Sequence, residues 1–307
     1  MCGRSAMQDA SNNLSTDVSS TSLPLKRRRY IRRALVALLF AATVIVYLLL
    51  YAQTSKGVLT VTFLDVGQGD AILIESPTGV QLLIDGGPNA VVLRQLAKEM
   101  GFFDRSIDMV LATHPDQDHI GGLSDVLNRY EVAEIIMTEN TSDTSANQSF
   151  REYVTSEGAT VVYARRGMRF DLGGGVMLTV LFPDRDPTFL ESNTSSIVAR
   201  LTFGDTEFLF TGDSPQAIEQ YLVTLGDDLE SDVLKAGHHG SDTSTAEEFI
   251  EVVQPSYAVI SAGKDNRYGH PTKQVMDAFA SAGVITKNTA ESGSITFVSD
   301  GVSVVVR

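Results

Sequence analysis

From Ala34 to Ala52 every residue is apolar or aromatic except Thr43, and no charge interrupts the chain between Arg33 and Lys56. At about 1.5 Å per residue, a helix over this run spans roughly 30 Å, the hydrocarbon thickness of a bilayer. The pattern predicts one N-terminal transmembrane helix over 34–52, with the lipid bilayer as its partner. Ahead of it stand Lys26, Arg27, Arg28, Arg29, Arg32 and Arg33, and ahead of those a Ser/Thr/Asn/Asp-rich stretch with no apolar period. Residues 1–33 are therefore expected to be a flexible cytoplasmic tail ending in a basic cluster, with the rest of the chain facing outward from the cell membrane. The apolar run exceeds the about 7–15 residues of a signal peptide and lacks a clear small-x-small site, which predicts an uncleaved single-pass anchor.

Beyond Val58 the pattern changes to short runs of strand and helix type. Val58–Val66, Ala71–Glu75 and Gln81–Asp85 are rich in β-branched residues or Leu and are separated by Gly or Pro, which predicts an opening meander. A helix over Ala90–Met100 closed by Gly101, a strand over Ile107–Thr113, a helix from about Ile120 to Arg129 and a strand over Glu134–Thr138 follow. Next come a helix near Ser149–Glu157, strands Thr160–Tyr163, Val176–Leu181, Ser196–Phe203 and Glu207–Thr211, a helix Pro215–Leu225 and a strand Asp232–Ala236. A helix from about Thr245 to Val253, a strand Tyr257–Ser261, a helix Pro271–Ala282 and three strands close the chain. Two mixed sheets covered by helices, in one domain spanning 57–307, fit this order.

Composition narrows the chemistry. Residues 1–56 hold 8 Lys/Arg and 2 Asp/Glu, which leaves a formal charge of −20 on the remainder of a chain whose total is −14. A basic surface that coats nucleic acid is excluded by that balance. The single cysteine, Cys2, excludes an internal disulfide and a Cys-rich zinc site.

All five histidines, His114, His119, His238, His239 and His270, fall in predicted strand-to-helix loops beside Gly, Asp or Pro. The densest cluster is His114-Pro115-Asp116-Gln117-Asp118-His119, followed by Ile120-Gly121-Gly122. A uniformly apolar strand leads into it, so four imidazole and carboxylate groups within six residues are brought to one loop, where they can converge on cations. A helix cap needs one carboxylate, not this set. Pro115 keeps the segment from being helical, and the Gly pair permits close backbone approach.

The cluster resembles the H-x-H-x-D-H signature of the metallo-β-lactamase superfamily, with Asp in place of the second His. The turns Asp85-Gly86-Gly87 and Thr211-Gly212-Asp213 agree with that. More narrowly, Leu64-Asp65-Val66-Gly67-Gln68-Gly69-Asp70, Leu234-Lys235-Ala236-Gly237-His238-His239-Gly240-Ser241 and Asn266-Arg267-Tyr268-Gly269-His270-Pro271 resemble the soluble hydrolase domain of ComEC-type competence proteins. The resemblance covers 57–307 and does not extend to the polytopic channel of those proteins. It implies an α/β fold, the metallo-β-lactamase-like αββα sandwich of two mixed sheets. It also implies two divalent metal ions, with His114 and Asp116 on one, Asp118 and His119 on the other, and Asp213 bridging. The last ligand comes from the His238-His239 pair; His239 is preferred, although the sequence does not separate the two. At the position of the superfamily's third-motif histidine, Asn193 or water takes its place. So oxygen-rich a set suits Mn²⁺ as well as Zn²⁺.

Three carboxylates do not neutralise two divalent ions, so the resemblance further implies a positive focus suited to an anionic phosphodiester substrate such as DNA. Helix starts near Gly240-Ser241, read with a Ser244-x-x-Glu247 capping box, and near Pro271 would add backbone N–H groups. The expected mechanism is attack on phosphorus by a hydroxide held on the metals, with Asp118 orienting the nucleophile and His238 or His270 protonating the leaving alkoxide. Asp65, Asp70 and Asp85 are read as turn residues or partners that orient the ligands, and Asn193 and Ser241 as candidates for touching substrate or ligands. The expected function is thus a membrane-anchored, extracytoplasmic metal-dependent phosphodiesterase or nuclease. Hydrolysis of a phosphorylcholine ester, β-lactam or thioester, or binding without catalysis, are the alternatives on the same fold.

Overall fold

The computed structural model describes residues 25–53 and 57–307. The chain divides into two units, Met1–Gln53 and Thr54–Arg307. In the first, Leu25–Gln53 form one helix of 29 residues. Its side chains are described only as far as Val46, so the far part of the apolar run lies outside the described residues, as does most of the expected tail. Among the described residues no helix is long and apolar enough to cross a membrane.

In the second unit the strands appear in chain order. β1 (Leu59–Phe63), β2 (Ile72–Glu75), β3 (Gln81–Ile84), β4 (Ser106–Ala112), β5 (Glu131–Met137) and β6 (Thr160–Tyr163) build most of the first sheet. β7 (Arg169–Gly173), β8 (Val176–Phe182), β9 (Val198–Phe203), β10 (Thr206–Phe210), β11 (Val233–Lys235), β12 (Tyr257–Ile260) and β13 (Ile285–Asn288) build the second, and β14 (Ile295–Ser299) and β15 (Val304–Val306) return to the first. The orders are β15-β14-β1-β2-β3-β4-β5-β6 and β13-β12-β11-β10-β9-β8-β7. Each sheet is antiparallel on one side and parallel on the other, the change falling at β3 in one and β10 in the other.

Side-chain alternation assigns the layers. Along β3, Leu82 and Ile84 join the core between the sheets, while Leu83 joins a second core under the helices Val91–Glu99, Leu123–Leu127 and Ser145–Glu157. Along β10, Phe208 and Phe210 face the inter-sheet core and Leu209 a third core under Gln216–Leu225, Glu247–Val253 and Lys273–Ser281. Three apolar layers between four layers of structure make the αββα sandwich. Its centre is an aromatic cluster in which Phe297 meets Phe63 at 5.9 Å and Phe208 at 6.2 Å, both edge to face.

Two expectations are corrected. β7 was not foreseen, because as a half-exposed edge strand of sequence RFDLG it carries little apolar signal. The helix expected from Ile120 begins earlier and breaks in two, Gln117–Ile120 and Leu123–Leu127, at Gly121-Gly122. A Cβ on Gly122 would stand 2.1 Å from the Gly86 carbonyl oxygen, so glycine there is a packing requirement.

Candidate metal centre

The expected site residues leave the sheets at the C-terminal ends of parallel strands, where α/β folds place their ligands. β4 runs into Thr113 and His114, and the helix Gln117–Ile120 that follows Pro115-Asp116 presents Asp118 and His119. Asp116 occupies the N-cap position without capping; its Oδ1 instead accepts from Ser192 Oγ at 2.6 Å. β3 ends at Asp85, β10 at Thr211-Gly212-Asp213, and β11 at the turn Gly237–Gly240, in which His238 and His239 both take left-handed φ values of 46° and 56°. That backbone brings the Nε2 atoms of both rings toward Asp213 Oδ2, at 3.7 and 3.5 Å, but buries only one of the two rings. The His239 ring is buried, with its Nδ1 2.8 Å from the Ser261 carbonyl oxygen; the His238 side chain stays 27% exposed.

Each buried ring is held by one nitrogen and free at the other. His119 Nδ1 lies 2.8 Å from Asp85 Oδ2, and His114 Nδ1 lies 3.0 Å from Thr113 Oγ1, which itself donates to Asp85 at 2.7 Å. The Nε2 atoms of His114, His119 and His239 are buried and have no hydrogen-bond partner among the described residues. Around them stand carboxylates. Asp213 Oδ2 is 3.2 Å from His119 Nε2 and 3.5 Å from His239 Nε2, Asp118 Oδ2 is 3.3 Å from His239 Nε2, and Asp116 Oδ2 is 3.7 Å from His114 Nε2. His114, His119 and Asp213 offer ligand atoms within 4.8 Å of one another, and so do Asp118, His119 and His239. Unpartnered imidazole nitrogens beside carboxylates, their far nitrogens fixed by hydrogen bonds, suit divalent cations.

The electrostatics have the same sense. Burial disfavours charge on every group here, yet Asp213 and Asp85 hold the His119 pKa well above its ordinary value, and Asp213 with Asp70 raise His239 to about 9. Burial works against ionisation of Asp213, but His119, His239 and Lys235 keep it well below the usual carboxylate range. Where two imidazoles face this cluster, the protein favours positive charge.

The other expected residues are placed as follows. Asp85 Oδ2 lies 2.8 Å from His119 Nδ1 and accepts from the Thr113 hydroxyl, and its Oδ1 accepts from the Thr113 amide. Asn193 Oδ1 is buried without a partner. Ser241 Oγ is engaged inside its own turn, 3.0 Å from Thr243 Oγ1. His270 is half-buried, its ring 5.7 Å from that of His238, and its Nδ1 lacks a partner. The Ser244 capping box is not formed. The helix starts at Glu247, Ser244 Oγ donates to the Ser214 carbonyl, and the amides of Thr245 and Ala246 donate to the Glu219 carboxylate instead.

Sequence reasoning passed over one residue and left a second with two readings. Lys235 is buried, with Nζ 2.5 Å from Asp70 Oδ2, 2.9 Å from the Gly212 carbonyl oxygen and 3.5 Å from Asp213 Oδ1. It lies two positions after Val233 on β11 and so shares that residue's face toward the inter-sheet layer. The signal was present: a lysine closing an apolar strand. Asp70, read as a turn residue or an orienting partner, is buried in the floor beside His239. It gets there because Gly69 lies against the Asp118 carbonyl, where a Cβ would stand 2.2 Å away. Together these residues correct the charge reading. Asp70, Asp85, Asp116, Asp118 and Asp213 against Lys235 leave a net of four negative charges, enough to neutralise two divalent ions and remove the expected positive focus.

Comparison with known proteins agrees with this geometry. The model of the metallo-beta-lactamase superfamily matches residues 64–264. ComE operon protein 3 of Bacillus subtilis is 29% identical over 273 residues, covering 83% of this chain and 35% of that protein. Competence protein ComA of Neisseria gonorrhoeae is 32% identical over 239 residues, covering 77% and 32%. The chain thus spans about a third of the length of these relatives. Among solved structures, the metallo-beta-lactamase fold protein YhfI of Bacillus subtilis shares the fold at a TM-score of 0.52 and 13% identity, over 78% of this chain and 99% of that one. Fold, ligand geometry and sequence match agree, and the chain belongs to the metallo-beta-lactamase superfamily as a hydrolase domain of ComEC type.

Proposed function

We propose that this protein is a phosphodiesterase or nuclease that works with two divalent cations, Zn²⁺ or Mn²⁺, on the outer side of the cell membrane. The observation that carries the reading is the trio of buried, unpartnered imidazole nitrogens facing Asp118 and Asp213. Two ions match the four net negative charges of the cluster, so that an anionic substrate is not repelled. Cations bound there supply Lewis acidity and an activated water at neutral pH. His114, Asp116 and Asp213 would hold one, and Asp118, His119, His239 and Asp213 the other.

The remaining work falls to the chain's own groups. Lys235 takes Asp213 Oδ1, which leaves Oδ2 for the imidazoles. Asp118 is a third exposed and stands at the open edge, where a carboxylate can orient the attacking water. His270 and His238 form the opposite edge and supply the proton that the leaving alkoxide needs. Burial depresses the His270 pKa, and the negative charge of a bound phosphodiester draws a proton back onto the ring. The name of one relative, a competence protein, suits a DNA substrate.

The test is an activity panel on the purified protein with Zn²⁺ or Mn²⁺, comparing bis-p-nitrophenyl phosphate, single-stranded DNA and a chromogenic β-lactam. Turnover of the first two is expected; turnover of the β-lactam alone overturns the reading. Elemental analysis should find close to two ions per chain. The membrane anchor rests on the basic cluster Lys26–Arg33 before the apolar run 34–52. Protease added to intact cells should digest the domain, and digestion only after lysis overturns the orientation.

A further inference from the structure

The segment from Gly263 to His270 is the one stretch of the site's rim that the mechanism above leaves mostly unused. It carries an aromatic residue, Tyr268, that is 52% exposed. One side chain closes the loop. Asn266 Nδ2 donates to the carbonyls of Gly263 and His270 at 2.9 and 2.6 Å, and its Oδ1 accepts from the amides of Tyr268 and His270 at 3.2 and 3.0 Å. The Gly263 amide in turn donates to Gln68 Oε1 at 3.0 Å, which ties the loop to the turn that carries Asp70. Tyr268 is therefore displayed on a fixed frame.

The planar groups of this loop form a row. The Arg267 guanidinium lies over the Tyr268 ring at 4.8 Å and donates to the Tyr268 hydroxyl at 2.7 Å. Tyr268 stacks with His270 at 5.8 Å and an interplanar angle of 24°, and His270 meets His238 at 5.7 Å. His238 Nε2 is 3.7 Å from Asp213. The row thus leads from the carboxylate at the centre of the site outward to a ring open to solvent, and it ends on a cation with no carboxylate partner among the described residues.

We propose that Tyr268, backed by Arg267 and His270, is a stacking platform for the nucleobase next to the scissile phosphodiester, so that the substrate is a single strand with unpaired bases. This deepens the phosphodiesterase reading and rests on it. A ring already fixed by its neighbours loses little freedom on binding, and stacking of a base on an exposed aromatic is independent of sequence. Arg267 decides between ligand classes: a guanidinium on the ring favours an anionic nucleotide and repels the quaternary ammonium of a choline ester.

The experiment measures fluorescence anisotropy of two short single-stranded oligonucleotides of equal length, with phosphorothioate linkages that resist cleavage, on the full-length, metal-loaded protein in mild detergent. One carries a base at every position and the other one abasic residue. Both have the same charge, so electrostatics cancels in the ratio of their dissociation constants. The wild type is expected to prefer the complete strand by about ten-fold. Tyr268→Ala should bring the ratio close to one, Tyr268→Phe should retain it, and Arg267→Ala, which leaves the ring in place, should reduce it about three-fold. A ratio that survives Tyr268→Ala, or a wild type that binds neither strand, overturns the platform. Wild-type turnover of bis-p-nitrophenyl phosphate by the same metal-loaded protein is read alongside. A base preference without turnover would overturn the phosphodiesterase reading, whereas turnover without a base preference would overturn the platform.

Discussion

The floor and the rim of the site are built from the same residue types under different physical conditions. In the floor, Asp70, Asp85, His119, Lys235 and His239 are buried, and their contacts are largely to one another. On the rim, Asp116, Asp118, His238 and His270 are partly open to water, and each has at most a short list of protein partners. A buried charge without a partner carries the full cost of desolvation, so the floor's charged groups are ion-paired with one another, and the Nε2 atoms of His119 and His239 are left without a hydrogen bond among the described residues. Rim groups can borrow water and remain free to meet a substrate. The difference teaches that identity as an Asp or a His says little about environment here, and that accessibility separates groups fixed by their protein partners from groups free to meet a substrate.

The largest effect should come from breaking the floor. Lys235→Met leaves Asp70 and Asp213 buried without their cation, and a loss of about 3–5 kcal/mol is expected in denaturation of the metal-free protein. Adding Asp70→Asn should recover a large part of it, since both members of the closest pair are then neutral. If Lys235→Met alone is neutral, the floor is not an electrostatic unit. Glu219 offers the contrasting case of a buried carboxylate with no cation, held by the amides of Thr245 and Ala246. Burial pushes its pKa up to about 7 from 4.5. The folded state therefore holds a proton that the unfolded chain releases, so this contribution to stability is present below pH 4.5 and is lost as pH rises through about 7. A decline of about 2 kcal/mol between pH 5 and pH 8 should disappear in Glu219→Gln. An unchanged slope in that variant assigns the pH dependence elsewhere.

The neighbours His239 and His238 test the comparison within one turn. His239→Ala should lower the bound metal by about one ion per chain, whereas His238→Ala, which removes a partly exposed ring, should keep both ions. His270→Ala should also keep both and lose about 10²- to 10⁴-fold in kcat on a phosphodiester with an alkyl leaving group, with a much smaller loss on one with p-nitrophenolate, which needs no proton. Metal loss in His270→Ala with retention in His239→Ala would reverse the assignment of floor and rim.

Much of the rim was legible in the sequence, and the floor was legible only in part. The rim carboxylates Asp116 and Asp118 share six residues of sequence with the buried rings of His114 and His119, after an apolar strand, so the convergence of all four follows from local chain geometry. The split between His238 and His239 was not legible, because it depends on two left-handed residues in succession that bury one ring and leave its neighbour partly exposed beside the same Asp213 oxygen. Lys235 was missed, and with it the burial of Asp70, because the two meet across 165 positions of sequence and between two sheets, where no local period reports a pairing. The layers of the sandwich could be read from apolar alternation, whereas the edge strand β7 could not, since an edge needs no apolar side chains to exist. The capping box failed for a related reason: a distant carboxylate, Glu219, holds the amides of Thr245 and Ala246, and the helix begins only at Glu247.

The smallest expected effect gives the sharpest test, because it holds the chemistry constant and changes only the environment. Thr113 and Ser192 each donate one hydroxyl hydrogen bond to a site carboxylate, Thr113 to Asp85 at 2.7 Å in the floor and Ser192 to Asp116 at 2.6 Å on the rim. Thr113→Val keeps the shape of the side chain but leaves Asp85 Oδ2 with His119 alone and removes the partner of His114 Nδ1, and no water reaches that buried position freely. About 1–3 kcal/mol of stability should be lost, together with metal affinity, because two imidazoles lose part of what orients them. Ser192→Ala deletes an equally short bond, yet the Asp116 side chain is 39% exposed, so solvent can replace the hydroxyl and a change within about 0.5 kcal/mol is expected. Thermal denaturation and metal titration of the two variants side by side read the difference. Equal losses would mean that burial does not distinguish the two halves of the site, and that the hydrogen bonds to its carboxylates count alike wherever they stand.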